Sequence, residues 1–156
     1  MTLSRLRPAL LFAVALLGCR DDGRLETHPV VGEVFVNDAP AAGCVVMFVP
    51  LGPELKGIVM PAGTADEFGA FTLTTYETGD GAPAGDYGVT LRWEANKWPG
   101  MGAELKVDPV VTMRPDRLLD RYASPEKSGL KATVAEGENV LEPFRLEGVA
   151  LLKGSE

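Results

Sequence analysis

Residue types that could support catalysis or metal binding are scarce in this chain. Its 156 residues include one His, His28, and two Cys, Cys19 and Cys44. A single His excludes most zinc sites and most Ser-His-Asp or Cys-His mechanisms, unless His28 lies at the centre of the site. The acidic residues fall in turn-like segments, where water keeps carboxylates ionised, whereas acid-base catalysis needs an apolar pocket that raises one pKa. The sequence therefore predicts a protein that is not an enzyme.

Carboxylates could also bind calcium, which takes about six to eight oxygen ligands. The candidate ligands are spread over separate segments and do not follow the EF-hand pattern: Asp66, Glu67, Asp80 and Asp86. The alternative is that Asp66 and Asp80 cap turns through their side chains, beside Gly69 and Gly81. We favour turn capping, and we predict no metal and no cofactor.

The first 18 residues have the order of parts found in an export signal. Arg5 and Arg7 give a positive start, and an unbroken apolar run follows over residues 9–17. As a helix with a rise of about 1.5 Å per residue, this run would span roughly 14 Å, against roughly 30 Å for a bilayer core. We therefore predict a signal peptide at residues 1–18 rather than a membrane-spanning helix.

The apolar run ends in Leu16-Leu17-Gly18-Cys19, which resembles the lipobox of bacterial lipoproteins. The resemblance implies cleavage after Gly18, a lipid on Cys19 and acylation of the new N-terminus, followed by a flexible tether over residues 19–29. Such a modification carries more acyl chains than the roughly two that stable anchoring needs. By the same resemblance, Arg20 favours the outer membrane of the cell envelope, facing the periplasm or the exterior. The alternative is an ordinary signal peptide.

The charge of the chain excludes one large class of partners. The whole chain carries a net charge of -7, and removal of residues 1–18 leaves 13 of the 15 basic residues against 22 acidic ones, a net charge of -9. Proteins that bind nucleic acids need basic patches, so we predict no nucleic-acid partner. With a lipid on Cys19, Cys44 has no disulfide partner, and we expect it to be a small buried residue.

The body of the chain alternates in the manner of β-strands. Apolar residues recur at every second position in Val30–Val36, Phe71–Leu73 and Tyr87–Trp93, as in strands with one buried face. Cys44–Val49 is apolar at every position, which suits a strand covered on both faces or in the sheet centre, and its parity turns Cys44, Val46 and Phe48 toward the core. Residues 130–134 and 140–146 are further candidates, and Pro143 places the last strand at a sheet edge or a bulge. Six or seven short strands separated by turns predict an all-β fold, an antiparallel β-sandwich.

Four different motifs follow one another along the body: Val30-x-Gly32-x-Val34, Pro40-x-x-Gly43, Val46-x-Phe48-x-Pro50 and Asp66-x-x-Gly69-x-Phe71-x-Leu73. Together they resemble the carboxypeptidase regulatory-like domain, a transthyretin-type sandwich. The stretch from Gly79 to Val89 is similar to a narrower family of small bacterial lipoproteins that carry this domain. The resemblance implies a seven-stranded Greek-key sandwich over residues 30–148 that acts as a noncatalytic folding or interaction module.

Residues 94–122 lie outside the resemblance and form a predicted insertion. Within it, the position of Pro115 favours a short helix over Arg114–Tyr122 with Leu118 and Leu119 turned inward. A long loop on a rigid sandwich is a common recognition site, and Trp and Arg dominate interface energetics. The candidate partner-binding residues are Trp93, Trp98, Arg114 and Arg117.

Two interpretations of these residues remain open. In the first, they bind an envelope protein or a polysaccharide while the lipid on Cys19 holds the domain at the membrane. In the second, Trp93 and Trp98 only cap the sandwich, and the protein is a structural component of the envelope without a specific ligand. For the two Trp side chains we favour the structural role, in which Trp93 closes the inner face of its strand and Trp98 caps the open end of the sandwich. For the protein as a whole we favour the binding module.

Overall fold

Strands dominate the computed structural model, which describes residues 23–96 and 114–154. This confirms the all-β prediction. Within those ranges the helices are α1 (Pro125–Ser128) and a 3-10 turn at Pro53–Leu55, and no helix has the length and apolar character needed to cross a membrane. The strand segments are β1 (Thr27–His28), β2 (Val30–Val36), β3 (Ala39–Pro40), β4 (Val45–Pro50), β5 (Ala62–Thr64), β6 (Ala70–Thr72), β7 (Ala82–Pro83), β8 (Gly85–Arg92), β9 (Leu130–Val134), β10 (Asn139–Val140) and β11 (Phe144–Leu146).

The longer strands form two sheets. The first is antiparallel and has the order β5-β4-β8-β9. The second is centred on β2, which pairs with β3 and β6 along one edge and with β10 and β11 along the other. Buried side chains from both sheets belong to one hydrophobic cluster, which fits a β-sandwich.

The predicted alternation along the strands is confirmed. The residues of the inward parity are at most 7 % exposed, and they include Val34, Cys44, Val46, Phe48, Phe71, Leu73, Tyr87, Val89, Leu91 and Trp93. Full burial of one such large apolar side chain contributes about 1.5–3 kcal/mol. Phe48 and Tyr87 contact each other in this core, with ring centroids 5.4 Å apart.

The prediction of a purely antiparallel fold is wrong at the last two strands. Both run parallel to β2, with Asn139 opposite Val30 and Phe144 opposite Val34. A parallel pair needs a long crossover, and here the whole of the intervening chain supplies it. Pro143 lies in the gap between β10 and β11 at the outer edge of this sheet, as expected for a residue that cannot donate to a ladder.

The folded body extends beyond both predicted limits. Thr27 and His28, which the sequence assigns to the flexible tether, pair with Pro83 and Ala82. At the other terminus, Val149 is 6 % exposed and exchanges hydrogen bonds of 2.9 Å with the side chain of Asn37. The fold therefore includes residues on both sides of the predicted range 30–148.

The register of the strands defines two opposite ends of the molecule. At the first end, the ladders finish with the residue pairs Pro50–Tyr87, Gly85–Val134 and Val30–Asn139. An isolated bridge between Ala62 and Thr74 joins the two sheets at the same end. We call this the tether end, because β1 enters the fold there by pairing with β7. The opposite end, where β8 ends at Arg92, is called the neck end.

Cys44 behaves as a buried apolar residue, as predicted. It is 0 % exposed, and burial raises the pKa of its thiol to about 12. We expect stability to fall as the pH rises from about 9 to 12, because the unfolded chain then loses the thiol proton while the folded chain keeps it. Burial also raises the pKa of Tyr87 to about 12, so Cys44→Ala should remove only part of this decline in denaturation curves. Rapid reaction of native Cys44 with a polar thiol reagent would contradict its burial.

Candidate functional site

Two backbone segments are held side by side at the neck end. Glu94 and Asp116 form an antiparallel bridge. The N–H of Ala95 donates to the carbonyl of Pro115 at 2.9 Å, and the N–H of Arg117 donates to the carbonyl of Trp93 at 2.7 Å. These bonds form a neck that fixes the residues on both sides of 97–113 to the end of β8.

Asp116 organises the second segment of the neck. Its carboxylate is 5 % exposed and accepts from the backbone N–H of Trp93 at 2.9 Å, Leu118 at 3.1 Å and Asp120 at 3.1 Å. Bonds to an ionised acceptor are stronger than neutral ones. One buried side chain thus ties the turn at 116–120 to β8.

The predicted helix over Arg114–Tyr122 is wrong. Leu119 and Asp120 have φ values of 56° and 55°, in the left-handed region, which no right-handed helix can include. The side chain of Leu118 is 0 % exposed as expected, whereas Leu119 points outward and is 47 % exposed. A left-handed non-Gly residue costs of order 1–3 kcal/mol, so contacts of the surrounding turn must hold Leu119 and Asp120 in this conformation.

Trp93 and Arg117 stack on each other beside this turn. The guanidinium carbon of Arg117 lies 3.6 Å from the centroid of the Trp93 ring, and the indole Nε1–H donates to the carbonyl of Ala42 at 2.8 Å. Trp93 is 7 % exposed. Its indole therefore closes the inner face of β8, and its side chain leaves little surface for a partner.

Arg117 carries a charge that the described residues do not neutralise. Its Nε atom is buried and has no hydrogen-bond partner within the described ranges. Burying a polar group without a bond is costly, so the stack on Trp93 must compensate. By contrast, the neighbouring Arg92 lies 3.9 Å from the carboxylate of Glu94 and 3.7 Å from that of Asp120, and its Nη2 donates to the carbonyl of Arg114 at 2.8 Å.

Arginines and an exposed leucine share one surface around the neck with the carboxylates of Glu94 and Asp120, which lie beside Arg92. We call it the neck surface, and it consists of Arg92, Trp93, Arg114, Arg117 and Leu119. Three of the four sequence-predicted binding residues lie on it or directly beneath it. Trp98, the fourth, and Cys19, the predicted lipid attachment site, lie outside the described residues. Leu119 was missed because its pattern favours an inward-facing helical position, and no local signal marks its positive φ.

Two of the four acidic residues considered for calcium, Asp66 and Asp80, cap backbone turns. Asp66 Oδ1 accepts from the N–H of Phe68 and Ala70, both at 2.9 Å. Burial acts to raise the pKa of Asp80, but hydrogen bonds from three backbone N–H groups outweigh it and lower the pKa. The turn-capping interpretation is therefore confirmed for Asp66 and Asp80. Within residues 23–96 and 114–154, no three potential His, Cys, Asp or Glu ligands come together.

His28 lies at the tether end. Its Nδ1 accepts from the N–H of Gly137 at 3.2 Å. This bond helps to hold β1 against the loop between β9 and β10.

Comparison with protein-family models, with curated proteins and with solved structures finds no match to the chain.

Proposed function

We propose that this protein is a noncatalytic protein-binding module of the bacterial cell envelope, held at the outer membrane by a lipid on Cys19. The neck surface is its recognition site. The observation that carries the proposal is the position of this surface, at the end of the fold opposite to the one that the tether enters. A module anchored through its tether end would present the neck surface away from the membrane.

The finer architecture belongs to the same proposal. β2, β4, β5, β6, β8 and β9, together with β10 and β11 counted as one interrupted strand, would make the seven strands of a transthyretin-type Greek-key sandwich. The return of the last strand to a position beside β2 supports this topology. A sandwich of this type provides a rigid scaffold from which loops present binding residues.

A protein partner fits the neck surface better than a polysaccharide does. Sugars are commonly held against the free face of an aromatic ring, but Arg117 covers Trp93 and the indole is 7 % exposed. The surface offers arginines and the exposed Leu119, which suit acidic and apolar side chains of a partner. Arg is among the residues that carry most binding energy at protein interfaces.

We expect Leu119→Asp to weaken partner binding by about tenfold or more, as the loss of a well-placed apolar contact does. Asp tolerates the left-handed conformation, so the melting temperature should stay nearly unchanged. Crosslinking in intact cells, followed by mass spectrometry, would measure the loss of the partner. The matched control is Val140→Asp, since Val140 is also aliphatic and is 84 % exposed, but lies at the other end. Equal crosslinking yields for both variants would exclude the neck surface as the binding site.

The anchor has its own test. We expect Cys19→Ala to move the protein from the membrane fraction to the soluble fraction, because the acyl chains supply the membrane affinity. Fractionation with detection of the protein by antibody would show the shift. Retention of the Cys19→Ala variant at the membrane would refute the lipid anchor.

A further inference from the structure

A second exposed surface lies at the tether end, in the connection between β4 and β5. We call residues 51–60 the apolar loop. Its exposed large apolar side chains are Leu51, which is 51 % exposed, Val59, which is 57 % exposed, and Met60, which is 50 % exposed. Its only charged residues are Glu54 and Lys56, which carry opposite charges. Exposed apolar clusters of this kind mark a surface that contacts another apolar body.

The apolar loop is held in place by the sandwich. The N–H of Leu51 donates to the carbonyl of Asp86 at 3.0 Å, and the N–H of Phe48 donates to the carbonyl of Pro61 at 2.8 Å. Between these points Leu55 is 1 % exposed, and its side chain covers Gly85. A shallow groove of about 460 Å³ runs between the loop's side chains, among them Leu51, Ile58 and Met60. Because the backbone is fixed, the loop can bind an apolar body without first becoming ordered.

The tether reaches the same end of the molecule. Residues Thr27 and His28 pair with β7, which directly precedes the start of β8. The N–H of Leu25 donates to the hydroxyl of Tyr76 at 3.4 Å, and the guanidinium of Arg24 lies 5.2 Å from the centroid of the Tyr76 ring. The described part of the tether is thus docked against the tether end as far back as Arg24.

The chain that remains between Arg24 and Cys19 is short. Five residue steps span at most about 18 Å even when fully extended. A lipid on Cys19 would therefore hold the tether end within about that distance of the bilayer surface. The apolar loop is then on the membrane side, whereas the neck surface faces away.

We propose that the apolar loop contacts the lipid bilayer into which the Cys19 lipid inserts, and so fixes the orientation of the domain on the membrane. This inference rests on the lipid anchor of the proposed function. Leu51, Val59 and Met60 enter the interfacial region, where aliphatic side chains gain free energy in addition to that of the acyl chains. The contact orients the anchored domain so that its neck surface points away from the bilayer.

The experiment uses the acylated full-length protein bound to phosphatidylcholine vesicles. Val59→Cys is labelled with an environment-sensitive fluorophore, and Phe68→Cys, at a residue that is 70 % exposed at the neck end, is the matched control. The native Cys44 is buried and does not compete for the label. We expect a blue-shifted emission at position 59 and several-fold stronger quenching by brominated lipid than at position 68. In a Leu51→Asp/Met60→Asp background, the shift at position 59 should disappear while the protein stays on the vesicles.

The other outcomes overturn the inference in distinguishable ways. If the protein floats with the vesicles but the label at position 59 is as little quenched as the label at position 68, the anchor holds and the loop contact is refuted. If the label at position 59 is shifted without vesicles and the protein sediments as a dimer, a second copy covers the loop. If the acylated protein does not float, the anchor itself fails and both proposals fall.

Discussion

Asp116→Ala should lower the free energy of unfolding by about 3–4 kcal/mol, which is large for a single substitution. The carboxylate is the acceptor for three backbone N–H groups, and those of Trp93 and Leu118 are buried. Alanine leaves these buried donors without a partner, and each unsatisfied donor costs about 1–3 kcal/mol. Urea denaturation followed by circular dichroism would measure the loss.

The same substitution should also abolish partner binding. The carboxylate bond to the N–H of Asp120 is then lost, and the left-handed conformations of Leu119 and Asp120 depend only on the backbone bonds from Leu119 to Asp116 and from Arg121 to Leu118. Asp116→Asn, which keeps one acceptor oxygen, should lose about half as much stability. Asp120→Asn is the control, because this side chain is exposed and lies 3.7 Å from Arg92 in a surface pair that contributes about 0–1 kcal/mol. A loss of stability as small for Asp116→Ala as for Asp120→Asn would show that the carboxylate does not organise the neck.

The core could be predicted from the sequence because each strand carries its own signal. In β8, apolar residues at every second position lie on the buried face, and the structure places Tyr87, Val89 and Leu91 there without exception. Such alternation depends only on the pleat of a single strand. The turns at Asp66 and Asp80 were predictable for the same reason, because an acidic side chain and the N–H groups it accepts lie within five positions of each other.

The neck could not be predicted, because its bonds join residues far apart in the chain. Asp116 accepts from Trp93, which lies 23 positions away. A local pattern with Pro115 and two adjacent Leu residues favours a helix, but this tertiary bond and the positive φ values override that preference. The parallel pairing of the last strands was missed for a similar reason, since alternation sets which face a strand buries but not the direction of its neighbour.

The docking of the tether was also invisible in the sequence. Thr27 and His28 are two polar residues in a segment of charged residues, with no alternation to mark a strand. Their partner strand is positioned by Gly81, whose φ is 85°. The backbone of Gly81 is held on both sides: its N–H donates to the carbonyl of Leu73 at 3.0 Å, and its carbonyl accepts from Thr75 Oγ1 at 2.6 Å.

Gly81→Ala should therefore detach the tether strand and lower the free energy of unfolding by about 3 kcal/mol or more. A Cβ at this position would overlap the carbonyl oxygen of His28, and the left-handed conformation adds a cost of its own of about 1–2 kcal/mol. Because the bonds to Leu73 and Thr75 prevent Gly81 from moving away from His28, β1 is displaced from β7 instead. Hydrogen exchange at Thr27 and His28, and the rate of trypsin cleavage after Arg24, should both increase.

Gly57→Ala is the control for Gly81→Ala, because it carries the cost of the left-handed backbone without the overlap between the new Cβ and the tether. Gly57 has a φ of 86°, and a Cβ there would have no atom within 4 Å. Gly57→Ala should lower the free energy of unfolding by only about 1–2 kcal/mol and leave the rate of trypsin cleavage after Arg24 unchanged. If both variants lose the same stability and the tether stays protected in Gly81→Ala, then β1 does not depend on its contact with Gly81. The strand pairs Thr27–Pro83 and His28–Ala82 would then hold the tether in place without the help of the Gly81 conformation. If only Gly81→Ala exposes the tether, the close approach of Gly81 to the carbonyl oxygen of His28 is what allows β1 to dock at the tether end.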